Sequence, residues 1–184
     1  MLTITVKARE AWDAESETFE KLDRDWTLKL EHSLISISDW EAIHKKPYLD
    51  DSYQKTAEEI LDYIKCMTIT SNVDSRVYQC LTPQQLEAIQ KYINEDATAT
   101  TFTERNAVHK YGRGITSELI YYWMTAQNIP FECEKWHLSR LLTLIRIASI
   151  ENDPKRNKKM GRKDIYNQNR ALNAARRAKH NTRG

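Results

Sequence analysis

The chain has 184 residues, a formal net charge of +2, 29% charged residues and a mean hydropathy of −0.71. This length predicts one domain, or one domain with an appendage, and it is sufficient to bury a core. Four glycines and four prolines are few for a barrel or sandwich with many tight turns, so the composition favours long helices. No run approaches the ~18 apolar residues that span a membrane, and the N-terminal residues lack the pattern of a signal peptide.

The charges are distributed unevenly. Residues 155–184 contain eleven Lys or Arg and one acid, which gives +10, whereas residues 1–154 carry −8. We therefore predict an acidic body and a basic arm, residues 155–184, that binds nucleic acid, an acidic protein surface or its own body. Its candidate partner or phosphate contacts are Lys155, Arg156, Lys158, Lys159, Arg162, Lys163, Arg170, Arg176, Arg177, Lys179 and Arg183.

The cysteines do not form a recognisable framework. Cys66, Cys80 and Cys133 are odd in number and have no CxxC spacing. This usage is typical of buried free thiols in a reducing compartment, rather than of disulfides or a zinc site.

The N-terminal part is predicted to be a small β element. Residues 2–7 and 26–34 alternate between apolar and polar side chains, which is typical of strands. The acidic stretch between them is predicted to be a long loop or an irregular hairpin. Two or three strands are marginal alone, so this element is expected to lean on the helices.

Three helix starts are predicted from capping boxes, in which a Ser or Thr cap precedes a Glu or Gln by three residues. These pairs are Ser38 with Glu41, Thr56 with Glu59, and Thr82 with Gln85. Pro47 ends the first helix. Helical spacing predicts inward stripes of Trp40 with Ile43 or His44, then Ile60, Leu61, Ile64 and Met67, then Leu86, Ile89, Tyr92 and Ile93.

The most apolar stretch, residues 115–150, is predicted to be a central helical hairpin that turns at Asn128-Ile129-Pro130. Thr116 is its candidate cap. Its first helix is apolar almost all round, with Ile115, Leu119, Tyr122, Trp123 and Ala126 on one side and Ile120, Tyr121 and Met124 on another. The structural core predicted here is Leu119, Trp123, Trp136, Leu141, Leu142 and Ile145.

The predicted fold is mainly α with a small N-terminal β element, an α+β class built as a helical bundle around the central hairpin. Its segments are a β element (1–34), a helical body (35–154) and the basic arm (155–184), helical from Arg162 to Asn181. Residues 96–114 are irregular: ATATTF is a strand or an extended arm, and Gly112 and Gly114 mark a turn.

Residues that could carry chemistry are sparse. Cys133 and His137 lie four residues apart on a predicted helix. A metal site would need further ligands, and a thiol nucleophile would need an orienting acid and an oxyanion hole, and neither set is close in sequence. Packing is therefore the favoured interpretation. Glu118, Glu132 and Glu134 are interpreted as solvated or dipole-opposing acids rather than an acid–base pair. A DNA-binding helix-turn-helix is disfavoured because Trp136 to Ile150 is mostly apolar. No enzyme activity, cofactor or metal is predicted.

Several long phrases resemble a family encoded in tailed-bacteriophage genomes. They are LEHSLISISDWEAIHKKPYL, ILDYIKCMTITSNVDSRVY, ATATTF, ITSELIYYWMTAQNIPFECEKWHLSRLLTLIRIASI and KKMGRKDIYNQNRALNAARRAKHNTRG. The resemblance runs from about Trp26 to the C-terminal end. The family is one that we associate with tail assembly chaperones.

The resemblance implies a non-enzymatic virion-assembly protein that holds the tape measure protein during tail formation. It implies oligomeric contacts with other phage proteins, no membrane, and a location in the host cytoplasm during assembly. Two alternatives remain open: a structural capsid or tail component of the virion, and a nucleic-acid-binding protein that acts through residues 155–184.

Overall fold

The computed structural model describes residues 1–13, 18–50, 52–100, 114–152, 166–167, 169–173 and 176–177. Within them the chain is mostly helical, with antiparallel strands at the N-terminus. It divides into two compact units, Met1–Ile147 and Ala148–Gly184. The predicted class, mainly α with a small β element, is confirmed.

Four strands form two antiparallel pairs. They are β1 (Leu2–Val6), β2 (Glu10–Asp13), β3 (Thr18–Lys21) and β4 (Trp26–Leu30). β1 pairs with β4, with Leu2 opposite Leu30, and β2 pairs with β3, with Glu10 opposite Lys21. Alternation places Ile4, Val6, Leu28 and Leu30 on a buried face, because successive side chains in a strand point to opposite sides.

The helices of the first unit follow in order. They are α1 (Leu34–His44), α2 (Ala57–Met67), the short α3 (Arg76–Gln79), α4 (Pro83–Ile93), α5 (Ser117–Ala126), a 3-10 helix (Phe131–Lys135) and α6 (Leu138–Glu151). α1 packs against α2 and α5, and α4 packs against β1. The boundary between the two units falls within α6.

The core lies where the β1–β4 pair meets α1 and α2. The residues that are at most 2% exposed there are Val6, Leu28, Leu30, Leu34, Ile37, Trp40, Tyr63, Ile64 and Met67. Backbone bonds extend this contact, since Glu31 N–H donates to the Met67 carbonyl at 2.9 Å and Ile69 N–H donates to the Lys29 carbonyl at 2.8 Å. The end of α2 is thus hydrogen-bonded to β4.

The helix starts agree with the sequence except at α1. The predicted capping boxes of Thr56 and Thr82 and the cap at Thr116 are confirmed. The predicted cap at Ser38 is wrong, because α1 begins at Leu34 with Ser33 as its cap and Ser36 as the third residue of the box. The earlier start brings Leu34 and Ile37 into the core.

The 115–150 segment differs from its prediction in two respects. A 3-10 helix, Phe131–Lys135, separates α5 from α6. The buried face of α5 carries Ile120 and Met124, whereas Tyr122, predicted inward, is 67% exposed. α5 is therefore amphipathic rather than apolar all round.

The six predicted core residues have different environments. Leu141 and Ile145 are buried, whereas Leu119, Trp123 and Leu142 are half-buried. Trp136 was predicted to be core, and this is wrong: it lies between the 3-10 helix and α6 and is 38% exposed, with the Arg140 guanidinium 4.8 Å from its ring centroid.

Other predicted features lie wholly or partly outside the described residues. These are Thr101 and Phe102 of the ATATTF stretch, the turn glycine Gly112 and most of the basic arm. Residues 95–98 and Thr100 have no regular structure, and Ala99 lies in a bend. The predicted boundaries at 34 and 154 stay predictions; the β strands and the helices up to Ile147 belong to one compact unit.

Candidate functional site

A groove between α2 and α4 forms a concave surface of the first unit with a volume of about 700 Å³. We call it the α2–α4 groove. Its lining comprises Tyr48, Tyr53, Gln54, Lys55, Ile60, Tyr63, Ile64, Leu86, Glu87, Ile89, Gln90 and Ile93. The apolar members recur at helical spacing on both helices, so two apolar stripes border one open space. Ile60 is 43% exposed within it.

The loop before α2 supplies an aromatic and cationic wall. The Lys55 ammonium lies 4.6 Å from the Tyr48 ring centroid and 5.4 Å from that of Tyr53, distances typical of cation–π contacts. The Tyr53 hydroxyl donates to the Pro47 carbonyl at 3.2 Å. The Lys46 ammonium also lies 5.4 Å from the Tyr53 ring centroid. These contacts fix one positive charge beside the apolar lining.

The groove floor continues into a buried polar cluster. The Tyr63 hydroxyl lies 2.5 Å from His32 Nδ1, and the Tyr63 ring stacks on Tyr48 with centroids 3.8 Å apart. Burial and, after it, the neighbouring His137 lower the pKa of His32 to about 4, while Glu31 opposes this shift. Burial also raises the pKa of both tyrosines. Burial therefore favours the neutral forms of these three side chains near pH 7.

His137 adjoins this cluster, with its ring 5.2 Å from that of His32. Its Nε2 lies 3.1 Å from the Tyr92 carbonyl, which can only accept, so Nε2 carries a proton. Its Nδ1 accepts from the Ser139 backbone N–H at 3.3 Å. Both ring nitrogens of His137 therefore have structural partners within the fold.

The predicted Cys133–His137 relationship does not hold. Cys133 lies in the 3-10 helix and His137 precedes α6, so the two do not share one helical face. The partners of His137 are Tyr92 and Ser139. All three cysteines are free, and burial raises the pKa of Cys66 to about 11, which disfavours its thiolate.

The three predicted acids are separate. Glu118 lies in the first turn of α5, where its own backbone N–H and the Thr116 hydroxyl lower its pKa. Glu134 accepts a hydrogen bond from the Tyr121 hydroxyl at 2.9 Å, and Glu132 is exposed in the 3-10 helix. Glu118 and Glu134 therefore each have a local partner that is not another acid.

The carboxylate of Glu41, predicted as the partner of a Ser38 cap, is buried and has a different role. One of its oxygens accepts from the Tyr48 N–H at 2.8 Å and the other from the Ser117 N–H at 2.7 Å. Glu41 therefore joins the groove wall to the start of α5. Its pairing partners are distant in sequence, so only the folded chain reveals them.

The basic arm is described only in part. Arg170, Arg176 and Arg177 lie in helical stretches and are exposed. Lys155, Arg156, Lys158, Lys159, Arg162, Lys163, Lys179 and Arg183 lie outside the described residues.

Two features are absent from the part of the chain that the structure describes. It contains no group of three His, Cys, Asp or Glu side chains arranged to hold a metal ion. None of its helices has the length and apolar character to cross a bilayer.

No protein-family model matches the chain, and neither a curated protein nor a solved structure matches it.

Proposed function

We propose that this protein is a non-enzymatic virion-assembly protein of a tailed bacteriophage, and specifically a tail assembly chaperone that binds the tape measure protein in the host cytoplasm. The phage assignment comes from the sequence resemblance. The structural observation that supports action by protein contact is the α2–α4 groove. The proposal includes the finer architecture, a helical bundle around residues 115–150 with residues 155–184 as a separate basic arm.

The groove is suited to an amphipathic helix. Two helices border an apolar floor, and recognition of a helix in such a groove uses apolar anchors spaced three and four residues apart. Lys55 and Glu87 place opposite charges in the same lining. A client helix that carries an acid and a base beside its apolar stripe would complement both.

A co-purification experiment tests this contact. The full chain is expressed with the tape measure protein of its phage, and the captured amounts are compared for wild type, Ile60→Asp and Ile43→Asp. Ile60 lies in the groove, whereas Ile43 lies on α1 outside the lining and is 61% exposed. We expect Ile60→Asp to lose capture at least tenfold because a charge replaces an apolar anchor. Equal capture by both variants would contradict the groove as the contact surface.

Composition of the mature particle tests the alternative. A chaperone leaves before the tail is complete, whereas a structural capsid or tail component remains in fixed copy number. Quantitative mass spectrometry of purified virions should therefore find this chain far below the amounts of the tail proteins. Stoichiometric amounts would replace the chaperone proposal with that of a structural virion component.

A further inference from the structure

Five side chains of the basic arm share one helical face. Residues 166–167, 169–173 and 176–177 are helical. At ~100° per residue, positions 166, 169, 170, 173 and 177 fall within about 100° of one another around the helix axis. The corresponding residues, Tyr166, Asn169, Arg170, Asn173 and Arg177, also line one concave surface of about 490 Å³. We call this set the Asn/Arg face.

The chemistry of this face matches the edges of base pairs. Asn pairs through two hydrogen bonds with adenine, and Arg does so with guanine, in the major groove of DNA. All five side chains are exposed, and Tyr166 is 66% exposed. A regular α-helix rises on the order of 16 Å over eleven residues, a length of about five base pairs at 3.4 Å each.

Charge alone does not account for the composition of the face. An acidic protein surface would be held by cations, and two carboxamides add no charge to that attraction. A base edge presents both donors and acceptors, which a carboxamide can match. Residues 165–184 contain no acid and five Lys or Arg, so contacts to phosphate are supplied by the same arm.

We propose that the Asn/Arg face is a DNA-reading surface that lies in the major groove of duplex DNA, with Asn169, Asn173, Arg170 and Arg177 against the base edges. This function goes beyond the proposed role in assembly and uses different residues. A-form duplex RNA is a poorer ligand, because its major groove is too deep and narrow for side chains to reach the bases.

The test uses the full chain and a pool of duplex DNA with a randomised central segment. Bound duplexes are selected through successive rounds, and affinities are then measured for the enriched sequence and a scrambled one. Wild type should enrich a defined sequence with adenine and guanine at fixed positions of the randomised segment. Asn169→Ala combined with Asn173→Ala should lower affinity for that sequence at least tenfold and change affinity for the scrambled duplex less than twofold. Asn167→Ala is the matched control, since Asn167 lies about 100° further round the same helix.

Unfolding cannot mimic the expected loss, because alanine favours an exposed helix more than asparagine does. Arg170→Gln with Arg177→Gln should lower affinity for the enriched sequence more than Lys91→Gln with Lys135→Gln, which removes the same charge from exposed positions of α4 and the 3-10 helix. The proposal is overturned if no sequence is enriched, or if the Asn169/Asn173 variant behaves like Asn167→Ala. It is also overturned if polyglutamate displaces the DNA at equal charge concentration, which would identify an acidic protein as the partner. The Ile60→Asp groove variant should bind DNA normally, so this result and the chaperone test fail independently.

Discussion

Lowering the pH from 7.5 to 5 is expected to destabilise the folded chain through His32. This side chain is 4% exposed, its Nδ1 lies 2.5 Å from the Tyr63 hydroxyl, and the His137 ring stands 5.2 Å away. Protonation would place a charge among buried rings, with Glu31 as the only neighbouring group that favours it.

Proton linkage gives the direction and the size of this change in the free energy of unfolding. The pKa of His32 is about 4 in the folded chain and has the ordinary value of 6.5 when unfolded. Below pH 6.5 the unfolded chain therefore binds a proton that the folded chain does not, and stability falls until the pH reaches about 4. The full difference in the free energy of unfolding is ~3 kcal/mol, of which about 2 kcal/mol is already lost at pH 5.

Urea unfolding at pH 7.5, 6 and 5 measures this loss. The comparison variant is His32→Gln, because glutamine can accept from the Tyr63 hydroxyl and does not titrate. The carboxylates that are paired with cations, for example Asp74 beside Arg76 and Glu59 beside Lys46, have pKa values below their ordinary range. Their contribution to the free energy of unfolding is therefore lost below the pH range of this comparison. Wild type should lose about 2 kcal/mol more than His32→Gln between pH 7.5 and 5. Equal losses would show that His32 is not held neutral by burial.

Further substitutions test the fold at single contacts. Ser33→Ala should lower the free energy of unfolding by about 1 kcal/mol, whereas Ser38→Ala, which changes an interior position of α1, should leave it nearly unchanged or slightly higher in the same urea assay. Glu41→Gln should lower the free energy of unfolding by about 1–3 kcal/mol, because glutamine has one accepting oxygen and its NH2 group cannot accept from the second of the Tyr48 and Ser117 N–H groups. Exchange of the Ser117 amide hydrogen should accelerate if that N–H loses its partner. Leu141→Ala should lower the free energy of unfolding by about 2–5 kcal/mol, and Trp136→Ala should lower it markedly less, as measured by thermal unfolding. A larger loss for Trp136→Ala would show that Trp136 belongs to the core.

Local chemistry made much of the fold predictable. Strict alternation in β1 and β4 defines a buried and an exposed face without reference to the rest of the chain. The caps of Thr56 and Thr82 are likewise local, because the cap side chain and its partner are three residues apart. Such features are fixed by residues that are near in sequence.

The start of α1 shows that a local capping pattern does not always determine where a helix begins. Ser38 with Glu41 satisfies the capping pattern, whereas Ser33 is followed three residues later by Ser36 instead of Glu or Gln. The earlier start buries Leu34 and Ile37 completely, and it frees the Glu41 carboxylate to accept from Tyr48 and Ser117. Tertiary contacts thus override the start that the local pattern favours.

The candidate site is formed by segments that are separated in the sequence, so no single stretch predicts it. The stripe of Ile60 and Ile64 and that of Leu86 and Ile89 each predict an ordinary buried face. Only the folded chain shows that the two stripes border an open groove in which Ile60 remains 43% exposed. The aromatic wall of Tyr48 and Tyr53 around Lys55 was not predicted, because those residues lie in a polar loop.

The two proposed surfaces differ in physical character, and one salt titration separates them. The lining of the α2–α4 groove is mainly apolar and aromatic, with Lys55 and Glu87 as its charged members, so a helix held there is held mainly by apolar burial, which moderate salt changes little. Binding by the basic arm releases counterions, and its affinity should fall with a log–log slope of about −0.9 for each phosphate contacted. If capture of the tape measure protein persists across the salt range that abolishes DNA binding, client and DNA occupy different surfaces. Parallel loss of both would mean that the basic arm, and not the groove, holds the client.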